Sequence, residues 1–198
     1  MVKIACIMGK SASGKDHIYK ALLERPELQL HKIVIYTTRP MREGECEGVE
    51  YHFTDVEGYE AYRKAGKVIE SRTYETVHGP WTYYTVHDEQ FKEEGNATYV
   101  ILGTLDSYNA FVRYFGKEVM IPVYIEVDDG LRLERALKRE RKQVQPKYAE
   151  MCRRFLADQE DFSEEKLAAA GITKRYTNNE AIEDCIEEIA RMLEKNMV

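Results

Sequence analysis

Along the chain, short unbroken apolar runs alternate with stretches whose apolar residues recur at helical spacing. Ile4–Met8, Tyr99–Leu102 and Met120–Val127 are apolar throughout or nearly so, as strands buried on both faces should be. Lys32–Tyr36 and Ile172–Thr177 read as two more strands, and Met120–Val127 suits the centre of the sheet. Between them, Ile18, Ala21 and Leu22 mark a helix that stops before Arg25-Pro26. Asp106–Phe115 carries Tyr108, Phe111, Val112 and Phe115 at core spacing, and Leu131–Arg141 turns Leu131, Leu133 and Leu137 inward. One long helix is predicted over Tyr148–Ala170, ended by Gly171, and a last amphipathic helix over Ala181–Lys195. His87–Glu94 reads as a short polar helix. Strand–helix alternation of this kind gives a parallel sheet with helices on both faces.

Residues 36–86 break that rhythm. Gly48–Phe53 alternates as a short strand, and Asp55 caps a helix through Ala65 that carries Tyr59 and Tyr62 on one face before Gly66. Val68-Ile69-Glu70 opens another extended piece, and the aromatic segment His78–Val86 follows. This is a small β-rich insert, too small for a full core of its own.

The first candidate for chemistry is Gly9-Lys10-Ser11-Ala12-Ser13-Gly14-Lys15-Asp16, placed between the first strand and the first helix. Gly, four residues, then Gly-Lys is the phosphate-cradling P-loop pattern, read here in its required strand–loop–helix setting. The glycines let successive N–H groups turn inward around an anion, Lys15 supplies a mobile positive charge, and the helix start adds its dipole. The alternative is an ordinary Gly/Ser turn. The last position of the pattern is Ser or Thr, whose hydroxyl ligates Mg²⁺; here it is Asp16, whose carboxylate is also a hard ligand.

Size and charge narrow the partners. The 198 residues, 43% hydrophobic, suffice for one domain, and a formal net charge of −6 argues against nucleic acid or an anionic membrane as partner. The N-terminal apolar run is broken by Gly9-Lys10, so it makes no signal peptide, and no run has membrane-spanning length. Four scattered cysteines (Cys6, Cys46, Cys152, Cys185) suit buried or idle thiols in a reducing cytoplasm. The five histidines form no helical ligand pair.

Arginines come next. Arg39 and Arg42 lie in the loop after a strand end, where α/β sheets bind ligands, and their planar cations suit a second phosphate. Arg135 and Arg139 share a helix face near Arg141, and Arg153 and Arg154 follow the Pro146 break. A solvated face paired with Glu134, Glu140 and Glu150 is one reading; beside a P-loop, neutralising a moving phosphoryl group is the other.

Thr37-Thr38-Arg39-Pro40-Met41-Arg42-Glu43-Gly44-Glu45, then Gly48 and Tyr51, resembles the guanylate kinase signature. With the P-loop, Glu70 and the late arginines, the resemblance covers nearly the whole chain. It implies a three-layer α/β P-loop core (1–35, 87–137 and 155–198), a small β-rich nucleotide-monophosphate-binding insert (36–86) and a helical lid (138–154) in a single domain, 1–198. It also implies that Arg39, Arg42, Tyr51 and Tyr83 hold the acceptor phosphate, while Glu70 and Thr85 meet guanine. Gly9, Lys10, Ser11, Ala12, Ser13, Gly14, Lys15 and Asp16 would hold ATP with Mg²⁺ at Asp16, and Asn178 would lie near adenine. Lys15, Arg135, Arg139 and Arg154 would act on the transferring group. The activity implied is phosphorylation of GMP by Mg²⁺–ATP in a cytoplasmic monomer or homodimer. A kinase for another nucleotide and a non-catalytic binding module of the same fold are the alternatives. The departures touch the base pocket and lid: Ile35 stands where the family has a guanine-contacting Ser, Leu102-Gly103-Thr104-Leu105 lacks a base-reading Asp, and both the Glu70–Tyr83 segment and the lid around Lys142–Tyr148 are longer.

Overall fold

In the computed structural model, which describes residues 2–76, 79–91 and 97–197, the elements in chain order are β1 (Lys3–Met8), α1 (Lys15–Leu23), β2 (Leu30–Lys32), β3 (Tyr36–Thr37), β4 (His52–Phe53), α2 (Val56–Lys64), β5 (Val68–Thr76), β6 (Gly79–Val86), β7 (Thr98–Leu102), α3 (Leu105–Phe115), β8 (Met120–Glu126), α4 (Asp129–Glu140), α5 (Tyr148–Asp161), α6 (Glu164–Ala169), β9 (Tyr176–Thr177) and α7 (Ile182–Met197). The core sheet runs β2-β7-β1-β8-β9, and every pairing in it is parallel. The strand alternation of β1 splits its side chains between two apolar layers. Ile4, Cys6 and Met8 join Tyr108, Phe111 and Leu167 on one face, and Ala5 and Ile7 join Ile18, Leu22 and Ile189 on the other. That two-sided burial is why β1 reads as an unbroken apolar run, and the result is a three-layer α/β fold. Among the described residues, no helix is long and apolar enough to cross a membrane.

A second sheet, β4-β3-β6-β5, forms the insert, with the long β5–β6 antiparallel pairing as its main part. Its buried apolar cluster is small: Tyr36, Tyr84 and Val86, with Tyr59, Tyr62 and Val68 packed against them. Asp55 caps α2 by accepting the Gly58 N–H at 2.7 Å, as its place in the sequence predicts.

Several expectations change. The strand expected over Lys32–Tyr36 is divided between the two sheets: Leu30–Lys32 pairs with β7, and Tyr36–Thr37 pairs with β4 and β6. Between them the Val34 N–H leaves the ladder and donates to Gln90 Oε1 at 2.9 Å, so the chain turns from one sheet to the other. Only His52–Phe53 of the expected Gly48–Phe53 strand is regular, and only Tyr176–Thr177 of Ile172–Thr177. Residues 87–91 form turns rather than a helix, and the rest of that expected helix, with His78, lies outside the described residues. The long helix over Tyr148–Ala170 is broken at Phe162, which is 5% exposed and stacks on Tyr124 at 5.5 Å; Ser163 then caps α6 through the Lys166 N–H. β1, not β8, is central. On α4 the buried residues are Arg132 and Ala136, whereas Leu133 is exposed.

Candidate active site

The loop after β1 is shaped by contacts that exclude side-chain atoms. A Cβ on Gly9 would stand 2.6 Å from the Ile125 carbonyl oxygen and 2.9 Å from Ser13 Oγ. Ala12 (φ 63°) and Gly14 (φ 86°) both lie in the left-handed region, a conformation a non-glycine residue holds only when its surroundings enforce it. Gly14 is also the N-cap of α1, and no side chain caps that helix; within its first turn the His17 N–H donates to the Gly14 carbonyl at 3.0 Å. Asn178, 2% exposed, donates from Nδ2 to the Ser13 carbonyl at 2.8 Å, and its own N–H donates to Glu126 O at 3.0 Å. It therefore braces the loop from behind and would lie 2.5 Å from a Cβ on Gly14. Lys15 Nζ lies 3.6 Å from the exposed Asp16 carboxylate.

On the side of α4 and α5, the Ser11 N–H donates to Asp158 Oδ2 at 2.7 Å, and the Ser11 carbonyl accepts from Arg132 at 3.0 Å. Arg132 is 1% exposed, meets Asp129 at 2.8 Å and Asp158 at 3.5 Å, and lies over the Phe155 ring at 4.6 Å. Burial works upward on the Asp129 carboxyl, but hydrogen bonds from Arg132 and Gln159 hold it below the usual range. Sequence reasoning missed Arg132. The available signal was its place four residues before Ala136, on the face that proves buried. Arg139 and Arg154 line a cavity of about 280 Å³ with Ser11, Glu140, Lys147 and Phe155. Arg135 is half-buried and does not line it, and Arg153 is paired with Glu150 at 2.7 Å.

In the insert, Thr37 is fully buried and its Oγ1 accepts the Arg39 N–H at 3.1 Å, which sets the start of the arginine loop. Arg39, 2% exposed, makes a two-point pair with Glu45 at 2.7 and 3.0 Å, and its guanidinium lies 5.3 Å from the Tyr51 ring. Glu45 also accepts the Arg42 N–H at 2.7 Å, and Arg39 together with that N–H holds its carboxyl below the usual range. The Arg42 side chain itself is exposed. Tyr51 packs edge-on against Tyr83 at 5.6 Å. Further along the same sheet, buried Glu70 accepts from Thr85 Oγ1 at 2.9 Å and meets Arg72 Nε at 3.3 Å. Ile35, Tyr51, Arg72, Tyr74, Trp81 and Tyr83 line a cavity of about 390 Å³ there. The Cys6 thiol, pushed up to about 12 mainly by burial, feels both Glu70 and Arg72, so this end of the insert meets the C-terminal half of β1.

Five buried side-chain polar atoms lack a hydrogen-bond partner among the described residues. Four of them belong to this site: Ser13 Oγ and Asn178 Oδ1 at the loop, Arg39 Nε and Arg72 Nε in the insert. Buried polar atoms are rarely left so, and their concentration here marks places where a ligand's polar atoms fit.

A family model described as guanylate kinase matches residues 1–196. The guanylate kinase of Frankia casuarinae is 44% identical over 68 residues, 34% of this chain and 36% of that protein. That of Aromatoleum aromaticum is 39% identical over 88 residues, 44% of this chain and 40% of that protein. The chain thus spans about two-fifths or less of the length of these curated relatives. A crystal structure of guanylate kinase from Anaplasma phagocytophilum aligns with a TM-score of 0.62 at 20% identity, covering 100% of this chain and 87% of that one, a likeness of fold.

Proposed function

The chain belongs to the guanylate kinase family, and on that premise we propose that it transfers the terminal phosphoryl group of ATP to GMP, giving ADP and GDP. The observation that carries this reading is the pairing of two anion-binding devices with orphaned buried donors. One is the backbone cradle at Gly9–Lys15; the other is the Arg39–Glu45–Tyr51–Tyr83 cluster in the insert.

In this reading the loop and the start of α1 surround the donor phosphates with the N–H groups other than those of Ser11, Ser13 and His17, which bond Asp158, Lys10 and Gly14, and Lys15 follows the group in transit. Arg39 offers its free Nε, with Tyr51 and Tyr83 beside it, to the acceptor phosphate, while Arg42 reaches it from the surface. Glu70 and Thr85 meet the base. Arg139 and Arg154, from the lid cavity, neutralise charge spread over the transferred group; Arg135 joins them only if α4 moves. Catalysis is then positional and electrostatic, and closure of the lid excludes water.

The residues fit Mg²⁺ modestly. Asp16 presents an exposed carboxylate at the first turn of α1, with Lys15 as its near cation. Among the described residues no cluster of three or more His, Cys, Asp or Glu could hold a metal alone. A cation held by one carboxylate and the nucleotide's own phosphates is the usual arrangement for Mg²⁺. When bound, it would neutralise negative charge on the nucleotide's phosphates.

A coupled ADP-release assay with Mg²⁺–ATP against ribo- and deoxynucleoside monophosphates tests the reading. Turnover with GMP well above the others is the expected result. Turnover with no acceptor would refute the kinase assignment, and preference for another base would move the acceptor.

A further inference from the structure

Glu70 and Arg72 are two apart on β5 and so share one face, opposite Thr85 and Tyr83 of β6. Glu70 is 8% exposed, and the Arg72 side chain, about one-third exposed, lines the insert cavity. Its Nε is 3.3 Å from Glu70 Oε2 yet makes no hydrogen bond. Ile35, on the same cavity, offers no polar atom in its side chain. A carboxylate that only accepts therefore stands beside a guanidinium that only donates.

We propose, resting on the acceptor reading above, that Arg72 is a specificity residue that donates to the 6-oxo group of the acceptor purine while Glu70 accepts from its N1–H and 2-amino group. Guanine presents that sequence of donors beside an acceptor along one edge. Adenine presents the reverse at two positions: its 6-amino group would face the Arg72 donors and its N1 lone pair the Glu70 carboxylate. Arginine facing the O6 edge of guanine is a strong discriminating pair, and rejection of the wrong base comes from leaving buried groups unpaired. In the free protein the same arginine compensates the buried Glu70 charge, so the reader stays assembled before the nucleotide arrives.

The test compares GMP with 6-thioguanosine monophosphate, which keeps the N1–H, the 2-amino group, the ribose and the phosphate and replaces only O6 by sulfur, a weak acceptor. KM, kcat and calorimetric Kd are measured for both nucleotides on the wild type and on Arg72→Ala. The wild type should prefer GMP by about 10-fold, and Arg72→Ala should bring that ratio close to 1 by weakening GMP about 10- to 100-fold, with kcat at saturation little changed. Its preference for GMP over AMP should narrow as well. If the GMP-to-thio ratio is unchanged in Arg72→Ala, even with both nucleotides weakened, the proposal is overturned and Arg72 serves the phosphate or the fold. Should Arg72→Ala not fold, Arg72→Met, which keeps the side-chain stem and removes every donor, serves instead and should likewise bring the ratio close to 1. A wild type that neither binds nor phosphorylates GMP refutes the acceptor reading itself, a distinct outcome.

Discussion

In the proposed reading the loop after β1 meets an anion with backbone N–H groups, in a geometry set by Gly9, Ala12 and Gly14, whereas the insert meets one with side chains held by Glu45 and Tyr51. The loop follows a strand held between two large apolar layers and is braced by Asn178 and Arg132; the insert's own buried cluster is a few aromatic and valine side chains. A backbone cradle is indifferent to many side chains but intolerant of an added Cβ at its glycines. A side-chain cluster is the reverse, since one carboxylate can hold or release a whole arginine. Damage to the first should therefore appear in stability and nucleotide binding together, and damage to the second in acceptor affinity alone.

The sharpest way to break that contrast is Arg132→Ala. It leaves the Asp129 and Asp158 carboxylates without their buried cation and frees the outer turn of the loop, so unfolding in urea should show a loss of about 3–5 kcal/mol. Arg132→Ala combined with Asp158→Ala should recover part of that loss, because the two residues share one network. A loss within about 0.5 kcal/mol would show that the clamp is decorative.

Next in size is Gly9→Ala. Its Cβ would press the Ile125 carbonyl oxygen at 2.6 Å, so β8 or the loop must move, at about 1–3 kcal/mol, with ATP binding by calorimetry weakened and GMP binding retained. Retention of full ATP affinity would count against the backbone cradle. In the insert, Glu45→Gln removes the charge that orients Arg39 and should raise KM for GMP about 10-fold without altering KM for ATP. Equal effects on both nucleotides would erase the distinction between the two regions.

The smallest effect is on pH dependence. Hydrogen bonds from Arg39 and from the Arg42 N–H hold Glu45 below the ordinary carboxylate range, and Asp129 is lowered by Arg132 and Gln159 against the upward push of its burial. A lowered folded-state pKa adds stability that is fully present above the ordinary carboxylate pKa and is lost as pH falls through the lowered value. Urea midpoints should be flat near neutral pH and decline below about pH 4, less steeply for Glu45→Gln. A decline that starts near pH 6 would point to histidines instead.

The same contrast explains what could be read from the sequence. The loop after β1 was legible because its tight backbone demands Gly at fixed spacing, and Gly9 and Gly14 keep it; the proposed roles of Arg39 and Tyr51 rest on the Thr37–Glu45 signature. Core strands buried on both faces declared themselves as apolar runs. The break at Phe162 did not, because a buried aromatic on Tyr124 is a tertiary contact that leaves the local helical pattern intact. Nor did the division of Lys32–Tyr36, where a distant Gln90 decides which sheet each half joins. Arg132 and Arg72 were hidden for a related reason. Each is one arginine among many until the fold puts a carboxylate beside it.

Steady-state kinetics of the wild type, Lys15→Ala and Arg39→Ala, with ATP and GMP varied in turn, test the central claim that the two devices serve opposite ends of one phosphoryl transfer. Lys15→Ala should lower kcat about 10²- to 10³-fold with KM for GMP little changed. Arg39→Ala should raise KM for GMP with KM for ATP little changed. ADP release that does not depend on GMP, or two variants with the same kinetic signature, would contradict the account.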